Sequence, residues 1–198
     1  SRKESWGVIL ASFFLDPIWW LFVGWLPLYL AETYGFGVKE IGLYAWVPYV
    51  GAMFGAWFGG LLAQNRISAG WTVNKVRKFV IGLGGVIMLV SLLLTMKAAT
   101  PTIAVLLMAA ILFGFQTAVG NIQTLPSDFY SGESVGSLAG FAGTAAKLAV
   151  VGLNFLIPVI TVNSYAPAFA VGAALAILTV LSVWVLCGRI QPLSPRSA

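Results

Sequence analysis

The sequence contains little charge, no histidine and almost no cysteine, and each shortage excludes a class of protein. Only 9% of its 198 residues are charged and 60% are hydrophobic, whereas an ordinary soluble domain is about one quarter charged. So few charges cannot cover a water-exposed surface. A single cysteine, Cys187, and the absence of histidine exclude an internal disulfide, the usual zinc clusters and a histidine-based triad. We expect no cofactor and no metal.

Six continuous apolar segments are each about 18 residues or longer, which is the length that a helix needs to cross the hydrocarbon core. Barrel strands would instead alternate apolar and polar residues. The sequence therefore predicts an all-α membrane protein with six transmembrane helices in one bundle and a basic loop at 64–78. The predicted spans, numbered 1 to 6, cover residues 6–30, 41–63, 79–96, 102–123, 135–162 and 166–187.

The positive charges are distributed unequally between the two ends of these spans. The net charge of +5 lies in short clusters between spans and not on a polar face, so we expect a lipid bilayer and no nucleic acid as partner. The positive-inside rule predicts that both termini are cytoplasmic. One end carries Arg2, Lys3, Arg66, Lys75, Arg77, Lys78, Arg189 and Arg196, and the other carries Lys39 and Lys97.

Two patterns concern how the spans pack. Trp25-Leu26-Pro27 lies near the end of span 1 and Thr124-Leu125-Pro126 at the end of span 4, three helices later, which is the spacing of a 3+3 inverted repeat. Glycines recur every four residues on span 2 and on span 5, and such strips let a neighbouring helix approach closely. The strips are Gly51, Gly55 and Gly59, and Gly136 and Gly140.

Two ionisable residues lie deep in the predicted spans, Asp16 in span 1 and Lys147 in span 5. An unpaired charge there costs several kcal/mol, about 3 on insertion scales. Their predicted depths are similar, so they can pair if the two helices are neighbours. The pair can lock two helices together, or it can line a pathway in which Asp16 titrates or Lys147 attracts an anion. The residues alone leave both readings open.

Span 4 carries two amides, Gln116 and Asn121, among apolar residues. They are able to hydrogen-bond a polar solute or to join helices. They are five residues apart, about 140° around a helix, so they need not meet one ligand. Pro17, next to Asp16, is expected to favour a kink in span 1.

Several short motifs, in order along the six spans, resemble the major facilitator superfamily, and within it the carboxyl-terminal six helices of the anion:cation symporter family, which includes bacterial hexuronate transporters. The resemblance covers essentially the whole chain. Two motifs depart from the family: Gln64-Asn65 replaces an Asp-Arg pair, and Lys147 replaces a small residue. The matching runs are Asp16-Pro17-Ile18-Trp19-Trp20, Trp25-Leu26-Pro27, Lys39-Glu40-Ile41-Gly42, Ala45-Trp46-Val47-Pro48, Gly59-Gly60-Leu61-Leu62, Gly70-Trp71, Asn74-Lys75-Val76-Arg77-Lys78, Gly114-Phe115-Gln116, Thr124-Leu125-Pro126-Ser127-Asp128 and Val135-Gly136-Ser137.

The resemblance implies symport of an organic anion such as a hexuronate, driven by a proton or sodium, as two six-helix bundles rock around a midplane site. It implies substrate contacts on spans 1, 2, 4 and 5, for which we select Trp20, Tyr44, Gln116 and Asn121. The chain begins at Ser1, and we expect a piece of a longer protein whose amino-terminal six-helix half is its partner. The expected location is the bacterial cytoplasmic membrane.

Two other functions fit the six spans. The first is a cation-coupled exporter of apolar compounds on the same fold, and the second is a channel or a non-transporting membrane subunit. An enzyme is the least expected, because Asp16 is the only acid inside a predicted span and has no second carboxylate or nucleophile beside it.

Overall fold

A computed structural model describes residues 3–193, and within that range every regular element is a helix. Arg2 and Arg196, which contribute to the predicted charge bias, lie outside the described residues. Six helical segments are long and apolar enough to cross a membrane, which confirms the predicted fold class. The elements are α1 Lys3–Tyr34, α2 Val38–Tyr44, α3 Val47–Ser68, α4 Val73–Thr95, α5 Pro101–Gln123, α6 Leu125–Phe129, α7 Glu133–Ile160 and α8 Ala166–Leu181, followed by a π-helical turn Ser182–Leu186.

The helices extend further than the predicted spans at the basic end. Of the predicted loop 64–78, only residues 69–72 lie outside helices, because α3 runs on to Ser68 and α4 already begins at Val73. Polar and charged residues in these end turns lower the hydropathy without breaking the backbone hydrogen bonds, so hydropathy marks the bilayer boundary and not the helix end. Thr72 caps α4 by accepting a hydrogen bond from the Lys75 backbone amide at 3.3 Å.

The two prolines of span 1 do not end its helix. α1 continues through Pro17 and Pro27 to Tyr34, so it ends four residues after the predicted end of span 1 at residue 30. A proline removes one backbone hydrogen bond, and the remaining bonds of a 32-residue helix carry it past that point. The turn after α1 is made at Gly35, where φ is +69°, a conformation that favours glycine.

The helix contacts are arranged with the symmetry of an inverted repeat. Exchanging the first three membrane helices with the last three turns the α3–α5 contact into α7–α1, and α4–α5 into α8–α1. The α4–α8 and α1–α5 contacts exchange with themselves. Each of these pairs is in contact in the structure, as the predicted 3+3 pattern requires. The hydrophobic core lies around α1 and α5.

The two predicted glycine strips have different surroundings. A Cβ built on Gly55 would lie 2.7 Å from the Phe113 Cα atom, and one on Gly59 would lie 2.6 Å from the Thr117 carbonyl oxygen. This strip therefore lets α3 and α5 touch backbone to backbone. In the part of the chain that the structure describes, a Cβ on Gly136 or Gly140 would meet nothing within 4 Å.

Candidate functional site

One side of the bundle is an open wall with two adjoining cavities. A cavity of about 520 Å³ lies between α3 and α5, and one of about 320 Å³ lies between α1, α5 and α7. Val119 and Gln123 of α5 line both cavities. Gln123 of α5 and Lys147 of α7 are exposed on this wall.

The charged centre of the wall is formed by Asp16 and Lys147. The Lys147 ammonium donates to Oδ2 of Asp16 in a salt bridge between α1 and α7, which pack against each other. The Lys147 side chain is 61% exposed and that of Asp16 is 25% exposed. Trp20 lies one turn beyond Asp16, with its ring centroid 5.3 Å from the Lys147 nitrogen. A cation, a carboxylate and an aromatic face therefore meet at one open point.

Helical spacing explains why these groups share one surface. Gly136, Gly140, Gly143 and Lys147 follow each other at intervals of four, three and four residues, so they form one strip along α7. The apolar residues of α7 that are buried, such as Ala142 and Ala146, lie on a neighbouring face against α1. The glycine strip is thus a smooth surface beside the ion pair and not part of the α1–α7 contact.

The two predicted amides of α5 occupy the larger cavity but have different partners. Gln116 is half-buried and lines the cavity. Asn121 is 4% exposed, and its Oδ1 accepts a hydrogen bond from Arg77 Nη1 at 2.9 Å. Its Nδ2 donates to the Thr117 carbonyl at 3.4 Å. Both polar atoms of Asn121 are therefore already used inside the protein.

Arg77 holds this end of the wall together. Its Nε donates to Asp128 Oδ2 at 2.8 Å, and the two side chains are only 14% and 15% exposed. Arg77 therefore bridges Asp128, from the short helix α6, to Asn121 on α5. It also lines the larger cavity, beside Gln64.

The predicted contact residues are not gathered into one site. Trp20 lies with the ion pair, and Gln116 and Asn121 line the neighbouring cavity. Tyr44, on α2, lines neither of these cavities, and its ring packs 5.2 Å from that of Phe36. Trp19 is turned inward, with its ring 5.4 Å from Phe115.

Three polar residues of the wall were not selected from the sequence as site residues. Ser12 stands one turn before Asp16 and lines the same cavity, and Gln123 lines both cavities. Ser12 lies on the same face of α1 as Asp16, and Gln123 lies on the same face of α5 as Gln116. Helical spacing could therefore have identified both. Arg77 was used for topology and as part of a run that resembles the family, but not as a site residue. Its pairing with Asp128 depends on which loops meet, and local sequence does not contain that information.

Comparison with known protein sequences identifies the family of this chain. The sequence profile described as Major Facilitator Superfamily matches residues 1–152 of the chain. The chain belongs to the Major Facilitator Superfamily. It is therefore an integral membrane protein, and the predicted resemblance is confirmed.

Its relatives in the superfamily include carriers of sugar acids. The chain is 30% identical over 188 residues to a hexuronate transporter of Escherichia coli strain K12, covering 93% of this chain and 43% of that protein. It is 36% identical over 91 residues to a galacturonate transporter of Dickeya chrysanthemi, covering 44% and 26%. A probable galactarate/D-glucarate transporter of Escherichia coli strain K12 is 30% identical over 114 residues, covering 58% and 26%. The chain spans less than half the length of these relatives. They are transporters and not enzymes, as expected.

Proposed function

We propose that this chain forms the carboxyl-terminal six-helix half of a transporter that carries an organic anion, of the hexuronate or related sugar-acid class, across the cytoplasmic membrane. The observation that carries the proposal is the open position of Lys147. Its ammonium is on an uncovered wall, 61% exposed, in a helix segment that crosses the membrane. A cation at that depth is costly, and a carboxylate substrate would neutralise it.

In this proposal the substrate carboxylate competes with Asp16 for the Lys147 ammonium. The ring of Trp20, beside that nitrogen, offers an apolar face for the sugar ring. The amides of Gln116 and Gln123 offer both donors and acceptors for sugar hydroxyls. Asn121 contributes by holding Arg77, and Tyr44 contributes through the packing of α2. The sugar-acid relatives support this choice of substrate class.

The same competition supplies a route to cation coupling. While Lys147 pairs with Asp16, the aspartate is neutralised inside the protein. When the substrate carboxylate takes the lysine, the Asp16 carboxylate loses its partner, and an uncompensated charge in a membrane favours binding of a proton or a sodium ion. The movement of substrate and cation is then linked through one pair of side chains.

A second six-helix half would complete the pathway. The glycine strip of α7 and the wall beside it have no partner within residues 3–193, and a smooth strip of this kind allows close approach of another helix. We propose that the amino-terminal half packs there, and that rocking of the two halves exposes the site alternately. The basic end of the bundle faces the cytoplasm.

The substrate class is tested by counterflow in proteoliposomes. The chain is co-expressed with the amino-terminal six helices of the Escherichia coli hexuronate transporter, and vesicles loaded with unlabelled glucuronate are mixed with labelled glucuronate. We expect accumulation of label that galacturonate blocks and that glucose, which lacks the carboxylate, does not block. Equal competition by glucose, or efflux of a lipophilic dye without glucuronate exchange, would contradict the proposal.

A further inference from the structure

A second cluster of cations lies on the outer surface of the bundle, at the turn between α3 and α4. The Arg66 guanidinium carbon is 5.1 Å and the Lys75 nitrogen 4.1 Å from the centroid of the Trp71 ring. Trp71 is held in place because it packs against the buried residues Ala63, Val76 and Val80. Two cations therefore share one fixed aromatic platform.

These two cations have no anionic partner among residues 3–193. The salt bridges of that range join Arg77 to Asp128 and Lys147 to Asp16, and neither reaches the Trp71 platform. Attraction to an aromatic ring is weak at an exposed position, whereas two like charges on one ring repel each other. An anion placed between Arg66 and Lys75 would convert that repulsion into attraction.

An exposed apolar stripe leads away from the cations along α4. Lys75, Phe79, Val86 and Val90 stand on one exposed face of α4, because their spacings follow the helical repeat. On the α8 side, the Trp184 ring lies 3.7 Å from the Cβ position of Gly82. Gly82 lies on this same face, between Phe79 and Val86, so the exposed Trp184 ring is part of the stripe.

A third cation, Lys78, lies three residues after Lys75 on α4, so the two lysines are neighbours on the helix surface. The Lys78 ammonium reaches the Trp184 carbonyl oxygen at 3.5 Å, so it bridges α4 to the turn that follows α8. Trp71 and Trp184 flank the three cations, and tryptophan is typical of the level where headgroups meet hydrocarbon. Cations above and exposed apolar side chains below match the two parts of a phospholipid.

We propose that Arg66, Trp71, Lys75 and Lys78, here called the basic cluster, bind the phosphate of an anionic phospholipid whose acyl chains follow the α4 stripe toward Val90. The headgroup phosphate accepts hydrogen bonds from the three cationic side chains. The acyl chains cover apolar residues that the bundle leaves open. A soluble phosphate would use only the cations, so the apolar stripe identifies the membrane as the source.

The proposal is tested by counting bound lipid. The 198-residue chain is purified in detergent with equal amounts of phosphatidylglycerol and phosphatidylcholine, and native mass spectrometry measures the lipid that remains bound. The test variant is Arg66→Gln/Lys75→Gln. The matched control is Lys39→Gln/Lys97→Gln, which removes the same charge from exposed lysines at the other end of the bundle.

We expect the wild type and the control to retain phosphatidylglycerol in preference to phosphatidylcholine. The test variant should lose about tenfold or more in phosphatidylglycerol retention, since each basic residue near a membrane contributes substantially to anionic-lipid binding, with unchanged elution in size-exclusion chromatography. Equal retention by the test variant, or an equal loss in the control, would overturn the proposal. So would displacement of the lipid by inorganic phosphate alone, because acyl-chain contacts should keep it bound.

Discussion

The helices α3 and α7 occupy equivalent places in the inverted repeat, yet they use their glycines differently. α3 packs Gly51, Gly55 and Gly59 against the backbone of α5. α7 makes the equivalent contact with α1 through alanines such as Ala142 and Ala146 and through larger apolar residues such as Leu138. It leaves its glycines uncovered. The comparison teaches that a glycine strip marks a surface suited to close packing without saying which partner fills it.

The two salt bridges also differ in exposure, because one is covered and the other is open. Arg77 and Asp128 are 14% and 15% exposed, and Asn121 shares the arginine. Lys147 and Asp16 are 61% and 25% exposed on the open side. We interpret the first pair as a structural tie and the second as a group available to a ligand. Substitutions at matched positions can separate these roles.

The largest expected effect is on the buried glycine strip. In Gly55→Ala, the new methyl group would lie 2.7 Å from the Phe113 Cα atom, and two backbones would have to separate. We expect a loss of about 3 kcal/mol in the free energy of unfolding, at the upper end of overpacking effects, measured by denaturant titration in detergent micelles. Gly140→Ala is the matched control and should raise stability by up to about 1 kcal/mol, because alanine favours a helix over glycine and its methyl group meets no neighbour. Equal losses would remove the contrast between the two strips.

A smaller effect is expected at the two ion pairs. Arg77→Gln leaves Asp128 and Asn121 without their shared donor, and a half-buried acceptor that loses its partner costs about 1–3 kcal/mol. Lys147→Gln should cost less than Arg77→Gln, because in detergent solution water at the open wall solvates the Asp16 carboxylate that the substitution leaves unpaired. The same titration measures both variants. A reversed order would show that the open pair, and not Arg77, ties the bundle together.

The smallest effect on stability is expected from Gly140→Cys. This variant should nevertheless react with a thiol reagent much faster than the wild type. Cys187 is fully buried, and burial raises the pKa of its thiol to about 12. Since the reactive thiolate is scarce well below that pH, N-ethylmaleimide should modify the wild type slowly from pH 7 to pH 9. Gly140→Cys adds a thiol on the open strip and should label fully at pH 7, as mass spectrometry would detect. An unreactive Gly140→Cys would mean that the strip is covered.

The fold could be predicted from sequence because the bilayer imposes a length and a composition on each helix. Every predicted span corresponds to a membrane-length helix in the structure. The helix ends were harder to predict, as the basic loop at 64–78 shows, since charged residues can continue a helix outside the hydrocarbon. α1 likewise continues past the predicted end of span 1 at residue 30, and neither proline ends it, because one lost hydrogen bond does not decide where a long helix ends.

The candidate site was less predictable because it depends on helix rotation and neighbours. Asp16 and Lys147 could be selected from their depth alone, since a charge in a membrane requires a partner. Asn121 has an amide of the kind that could bind a ligand. In the structure this amide faces Arg77 of α4 instead. Tyr44 was chosen by its place along span 2 and lies apart from both cavities. No local pattern distinguishes these cases.

The central claim, that Lys147 contacts the transported anion, is tested most directly by glucuronate uptake measured against folded protein. Lys147→Gln and Lys147→Arg are compared with the wild type in vesicles that carry the complementary half, and uptake is divided by the amount of monodisperse protein. We predict that uptake per folded molecule falls to background in Lys147→Gln and is partly kept in Lys147→Arg, which retains the charge. Uptake that falls only in proportion to folded protein would contradict the claim.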